Sequence, residues 1–379
     1  MKASNYYESR EQTYLKHFFL ERYLERVAYT IGYSNNEFVY IDGFSGPWKS
    51  DNESFEDTSF MIALQKLRNV REVLGQVGRY PRVRCLFIEK DPVAYRSLER
   101  ATQSTPRVQA KALCGEFEEL IPEIKNFVGQ SFALTFIDPT GWKGFGLKQI
   151  TPILQHRPGE VIVNFMFDYI NRFLEHPSPE IAASFDHLFG GSGWEKVVRA
   201  APRREDAIIK LYCERMKTAG QFAHVTYTRI RKPTAERTYF YLVYGTRHPR
   251  GLIEFRNVEK KFVDEQERVR QSAKQNSRIR KTKQAELFSA TEGTRLEPSF
   301  EEERSSQLLV ARNLLKQLLE MSSRMSYEDV LVHLLEVPLV WESDIKNIIL
   351  QLRANGVVEI EGLRKPARTP KPGHTLVRR

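Results

Sequence analysis

The sequence predicts an α/β fold in which a mostly parallel sheet is covered by helices, closed by an antiparallel hairpin and followed by a smaller α+β domain. Three observations carry this reading. Across roughly residues 1–262, helical apolar patterns alternate with short β-rich runs, as crossover-connected strands require. Residues 263–304 are poor in apolar side chains and rich in charge, Ser, Thr and Gln, the composition of a linker, with the alternative that its start extends a charged helix. Residues 305–379 then return to amphipathic helical spacing and end in a basic tail.

In the first block, residues 14–29 (YLKHFFLERYLERVAY) place apolar side chains at helical spacing, and FVYI at 38–41 is a first strand running into Asp42. A helix starting at the caps Asp57–Ser59 carries FMIALQKL. The second strand is VRCLFIE at 83–89, and Pro92 opens the next helix. VQAKALC at 108–114 is a weaker third strand, FEELIPEIKNF is helical, ALTFID at 133–138 is the fourth strand and VIVNFMF at 161–167 the fifth. Runs 224–231 and 237–246 flank a polar turn and predict the hairpin. In the last block, helices are expected at 306–321, 326–336 and 342–356. Ser326 with Asp329 and Ser343 before Asp344 start two of them, Asn355-Gly356 stops the third, and VVEIEGL at 357–363 is a small strand or wing.

The 379-residue chain carries a net charge of +10, distributed unevenly. Ten Lys or Arg lie between Arg256 and Gln284, and six between Arg364 and Arg379 with no acid among them. Clustered cations release the counterions of a polyanion, so nucleic acid is the expected partner, against the plainer reading of solvated faces. No run of about 18 apolar residues exists. The first residues have no hydrophobic leader core, so neither a membrane span nor a signal peptide is expected and a cytoplasmic location is. Cys85, Cys114 and Cys213 form no CxxC and are expected to be core residues, and the eight histidines have no ligand-like spacing, so no metal is expected.

Open α/β sheets bind small ligands beyond the carboxyl ends of their strands. Five sequence features fall there together: Asp42-Gly43-Phe44-Ser45-Gly46, Glu89, Cys114-Gly115-Glu116-Phe117, Asp138-Pro139-Thr140-Gly141-Trp142, and Asn164. A carboxylate such as Glu89 accepts hydrogen bonds from neighbouring ribose hydroxyls, and a glycine turn lets backbone approach a ligand. The glycines read GFSG and lie far from the next helix, so the GxGxxG pyrophosphate cradle of dinucleotide sites is lacking. A phosphate-free nucleoside cofactor, S-adenosylmethionine, fits better.

The combination YIDGFSGPW, FIEKD, FIDPTG and VNF, with a small helical domain after a linker, resembles the prokaryotic three-Cys-motif partner protein (TcmP) family. That resemblance implies a Rossmann-like class I methyltransferase fold with a C-terminal winged helix-turn-helix. It also implies a radical-enzyme-like partner protein that carries three cysteines, which are not those of this chain. Carried over by motif, Asp42, Gly43, Phe44 and Gly46 lie near the methionine portion of the cofactor, Glu89 binds ribose, and Glu116 with Phe117 contacts adenine. Asp138-Pro139 matches the catalytic motif, where the acid orients or deprotonates the acceptor. Trp142, Lys143 and Asn164 are the candidate substrate contacts, against plain packing, surface and loop-satisfying roles. Two departures stand out: GPW, where members often have GPG, brings Trp48 to the cofactor's approach, and DPTGW displaces the motif's aromatic to Trp142. In the winged helix, the third helix offers Lys346, Asn347, Gln351 and Arg353 to a duplex, with Arg364, Lys365 and Arg368 on the wing for phosphate contact, but Glu342 and Asp344 precede them, so protein contact is an equal reading of this domain. Three readings are therefore open: a methyltransferase acting on nucleic acid or a component bound to it, a noncatalytic accessory subunit, and a nucleotide-sensing DNA-binding regulator.

Overall fold

A computed structural model describes residues 10–46, 57–103, 107–282, 299–363 and 369–379. The first strands and helices alternate: α1 (Glu11–Ser34), β1 (Glu37–Asp42), α2 (Ser59–Gln76), β2 (Arg82–Glu89), α3 (Pro92–Gln103), β3 (Gln109–Cys114), α4 (Ile121–Val128), β4 (Phe132–Ile137), α5 (Leu147–Leu154) and β5 (Gly159–Phe165). A helical insertion follows, comprising α6 (Phe167–Phe173), α7 (Pro179–Phe189), α8 (Trp194–Ala200) and α9 (Arg204–Gly220). The hairpin β6 (His224–Arg231) and β7 (Thr238–Thr246) closes a seven-stranded sheet of order β3-β2-β1-β4-β5-β7-β6. Pairings through β5 are parallel, while β7 runs antiparallel to both neighbours.

The continuous apolar runs reflect burial on both sheet faces. Along β1, Phe38 and Tyr40 enter one core with α1, α2 and the next helix, α10 (Pro249–Thr282), while Val39 and Ile41 enter the other with α4, α5 and α7–α9. This period-two alternation sends strand-end residues to opposite sides. Strands β4 and β5 stop at Ile137 and Phe165, so Asp138 sits one residue past its strand instead of within it.

α10 runs 34 residues and crosses the expected 262/263 boundary, and residues up to 282 of the expected linker are helical. The reason is a buried stripe at helical spacing, Glu259, Phe262, Gln266, Arg270 and Ala273, most of which is polar and therefore invisible to composition. Gln266 accepts the Arg231 amide at 2.9 Å, and Arg270 donates to the Ala235 carbonyl at 3.1 Å while pairing with Glu236 at 2.7 Å. The basic run is accordingly committed in part to the protein itself: Arg256 and Arg270 are buried, Arg268 pairs with Glu265 and Lys274 with Glu236.

The carboxyl-terminal unit contains α11 (Phe300–Met321), β8 (Arg324–Ser326), α12 (Tyr327–Leu335), α13 (Glu342–Ala354), β9 (Val358–Glu361) and β10 (Thr375–Arg378), with the strands ordered β8-β10-β9. The three helices were legible, as was β9; β8, of three residues, was not, nor was β10, which lies within the expected basic tail. The Ser326 hydroxyl caps α12 through the Asp329 amide at 3.0 Å, whereas α13 begins earlier than Ser343, with Asp344 accepting from the Trp341 amide at 3.0 Å. Arg364, Lys365 and Arg368 lie outside the described residues. This unit is fastened to the sheet domain by the buried Arg256, which donates to the Leu335 carbonyl at 2.8 Å and to Glu259 at 2.6 Å. His224 contacts Glu336 at 2.6 Å, and the Trp341 indole donates to Glu259 at 3.3 Å. Cys85 is buried, but Cys114, at the end of edge strand β3, is exposed, contrary to the core assignment. No helix among the described residues is long and apolar enough to cross a membrane.

Candidate ligand cleft at the strand ends

Beyond the carboxyl ends of β1 to β4 lies a cleft of about 600 Å³, within the range of small-molecule sites. The β1 loop forms one wall. Its course is fixed by the Gly43 amide donating to the Phe136 carbonyl at 2.9 Å, the Ser45 amide to the Ile88 carbonyl at 2.8 Å and the Ser45 hydroxyl to the Asp42 carbonyl at 2.8 Å. Gly43 is required by contact: a Cβ there would lie 2.9 Å from the Phe117 ring. Gly43→Ala should therefore destabilise the fold by about 1–3 kcal/mol, read as a lower urea midpoint, because the packed Phe117 ring must shift to admit the methyl group.

Glu89 closes β2 and faces this cleft, 2% exposed, with one carboxylate oxygen accepting the Asp91 amide at 2.7 Å. Burial raises its pKa, opposed by backbone hydrogen bonds. Phe117 packs on Phe44 with ring centres 5.7 Å apart. Glu116 lies at the rim and pairs with Lys90 at 3.2 Å. Trp142 and Lys143 also line the cleft, but the indole is held by Ser184 at 2.8 Å and packed against Phe173 and Phe185, whereas Lys143 is exposed. Sequence reasoning missed Lys90, Glu118 and Glu119, although FIEK and GEFEE displayed them beside residues already chosen. Glu118 accepts the Gly146 amide at 2.5 Å and contacts His187 at 2.7 Å, a link across 69 residues with no local signal.

Asp42, Asp138 and Asn164 instead belong to a second cluster, on the α1–α2 side of the sheet, and neither they nor Pro139 and Gly46 line the cleft. The Asp42 carboxylate is buried and accepts the Ser59 hydroxyl at 2.7 Å and the Phe44 amide at 3.2 Å. Asp138 is engaged on both oxygens, by Lys16 of α1 at 2.5 Å and by the Asn164 side-chain amide at 2.7 Å. The Asn164 side-chain oxygen and the Tyr40 hydroxyl are buried here with no hydrogen-bond partner among the described residues. The five strand-end features thus divide between two places. Lys16 was unforeseeable because its partner is 122 residues distant. Gly46 ends the described part of the loop, and Trp48 lies outside the described residues.

Burial, reinforced by the charge of Asp138, raises the pKa of Asp42 to about 6, against its hydrogen bond from Ser59. An acid whose folded pKa exceeds its unfolded value contributes stability at low pH and loses it as pH rises towards the folded value. Asp42→Asn should therefore gain up to about 3 kcal/mol relative to the native chain between pH 4 and 7, seen in urea midpoints across that range.

In comparisons with known proteins, no family model matches the chain and no curated protein matches it. Among solved structures, a Legionella pneumophila DUF519 protein shares 13% identity at a TM-score of 0.37, covering 65% of this chain and 86% of its own. A DUF574 family protein from Streptomyces avermitilis shares 8% at 0.32, over 65% and 94%. A loganic acid methyltransferase with SAH shares 10% at 0.30, over 74% and 92%. These scores reflect distant likeness, and the site is read from this chain's own residues.

Proposed function

We propose that the strand-end cleft binds S-adenosylmethionine and that the chain is an S-adenosylmethionine-dependent methyltransferase acting on nucleic acid or a nucleic-acid-associated substrate. The observation that carries this is the buried Glu89 carboxylate facing the same cleft as Gly43, which has no Cβ, and Phe117. Glu89 accepts from the ribose hydroxyls, Phe117 and Glu116 border the adenine, and Gly43, Phe44 and Gly46 admit the methionine portion. The lining carboxylates Glu89, Glu116, Glu118 and Glu119 outnumber Lys90 and Lys143, which favours a sulfonium cation and disfavours a pyrophosphate. Methyl transfer is an in-line displacement, so the protein's main contribution is alignment. In this reading Trp142 and Lys143 border the acceptor from the cleft, and Asp138, Pro139 and Asn164, outside the cleft lining, serve it from the α1–α2 side.

Exposed Lys260 and Lys261, and Asn347, Gln351 and Arg353 on α13, are the candidate nucleic-acid contacts of a winged-helix reading; Lys346 is paired with Glu342 at 2.7 Å. A second reading, a noncatalytic accessory subunit of a three-cysteine radical-enzyme-like partner, is favoured by one observation. Both Asp138 oxygens are already engaged, by Lys16 and Asn164, which leaves the carboxylate less free to take a proton from an acceptor. Calorimetric titration with S-adenosylmethionine and S-adenosylhomocysteine tests the cofactor, and incubation of the full chain with labelled cofactor and DNA or RNA tests the reaction. Absence of binding overturns the proposal; binding with no methyl transfer to any acceptor selects the accessory reading.

A further inference from the structure

At the opposite, amino-terminal edge of the sheet lies a second cavity of about 530 Å³, between α1, the start of α10 and the segments leading into β5 and out of β7. Val27, Ile31, Phe132 and Pro158 give it an apolar wall. Glu160 and Tyr23 lie at its base, and Arg157 and Arg250, both exposed, supply cations.

The charges do not cancel within this lining. The Glu160 carboxylate is spent on the Tyr23 hydroxyl at 2.6 Å and the Thr246 hydroxyl at 3.0 Å, and burial raises its pKa. Glu254 is spent on Arg26 at 2.7 Å. Arg247 is held among carbonyls, including that of His156 at 3.1 Å, and burial together with the charge of Arg157 lowers its pKa to about 10. Arg157 reaches only the neutral Gln221, at 2.9 Å, and neither Arg157 nor Arg250 has an ion-pair partner among the described residues. An apolar wall beneath two uncompensated guanidinium groups is complementary to an anion with an apolar body.

We propose that this cavity is a second ligand site, separate from the strand-end cleft, that takes a small organic carboxylate with an alkyl or aryl body, its carboxylate at Arg157 and Arg250 and its body against Val27, Ile31, Phe132 and Pro158. Gly251 keeps the base acid uncrowded: a Cβ there would lie 2.2 Å from a Glu160 oxygen and 2.3 Å from the Tyr244 hydroxyl.

Calorimetric titration of the full chain with decanoate, and with decylamine as the charge-inverted control, tests it. Decanoate should bind saturably and decylamine should not. The Arg157→Gln/Arg250→Gln double variant should weaken decanoate binding by about tenfold or more, and Thr30→Trp, which fills the lining, should remove it. Glu89→Ala should leave it unchanged, which separates failure here from failure of the cleft assignment. No saturable decanoate binding, equal binding of decylamine, or an affinity unmoved in the double arginine variant would each overturn the proposal. So would loss of binding in Glu89→Ala. The double variant alters exposed side chains, so it decides the matter even should Thr30→Trp not fold.

Discussion

Arg256→Ala should lower the stability of the chain by about 3–5 kcal/mol, the cost of stripping one partner from a buried ion pair. Arg256 and Glu259 are 1% and 0% exposed, one helical turn apart on α10, and 2.6 Å from each other. Besides Glu259, the guanidinium serves the Leu335 carbonyl at 2.8 Å, the Tyr227 carbonyl at 3.3 Å and the Thr226 hydroxyl. Removal leaves Glu259 with only neutral partners such as the Trp341 indole, and burial already raises its pKa. The Arg256→Met/Glu259→Leu double variant should lose less than the single one, because no charge is then left without its counterpart. Urea denaturation of the three proteins at constant pH checks this. Equal loss in single and double variants would show that the carbonyl contacts, and not the ion pair, set the cost.

Glu89→Ala should weaken S-adenosylhomocysteine binding by roughly 10- to 100-fold, as expected when a charged acceptor serving two hydroxyls is deleted. The change also removes the acceptor of the Asp91 amide, worth about 1 kcal/mol of stability. Asp91 itself still caps α3 through the Val93 and Ala94 amides at 2.9 and 2.8 Å, so the fold should survive. Calorimetry of both proteins, with a thermal melt of each, separates the two effects. Unchanged affinity would dismiss Glu89 as the ribose acceptor.

The central strands were legible in the sequence because burial on both faces turns each into an unbroken apolar run. Their ends could be read to within about two residues, since Asp42, Glu89 and Asp138 mark where the apolar run stops. What sequence spacing did not resolve was the side to which each end residue turns. Asp42 and Glu89 look equivalent as strand-ending acids, yet one is enclosed against Ser59 and the other faces the cleft. The distinction depends on α1 and α2, whose contributions Lys16 and Ser59 come from distant sequence. The helical insertion between β5 and β6 also escaped notice, and α10 was cut short because its inward stripe includes Gln266 and Arg270. Polar residues that face inward to satisfy neighbouring backbone are indistinguishable, by composition, from residues facing water.

The seam at Arg256 bears on how the chain comes apart. Leu252 of α10 packs in the core of the carboxyl-terminal unit, and Leu339 of that unit packs in the core of the sheet. Each unit thus lends an apolar residue to the other's interior, which couples the two. Melting should pass through one cooperative transition, and severing the two units would expose apolar surface on both sides. Any duplex-binding property attributed to the carboxyl-terminal helices is therefore a property to be measured on the intact chain.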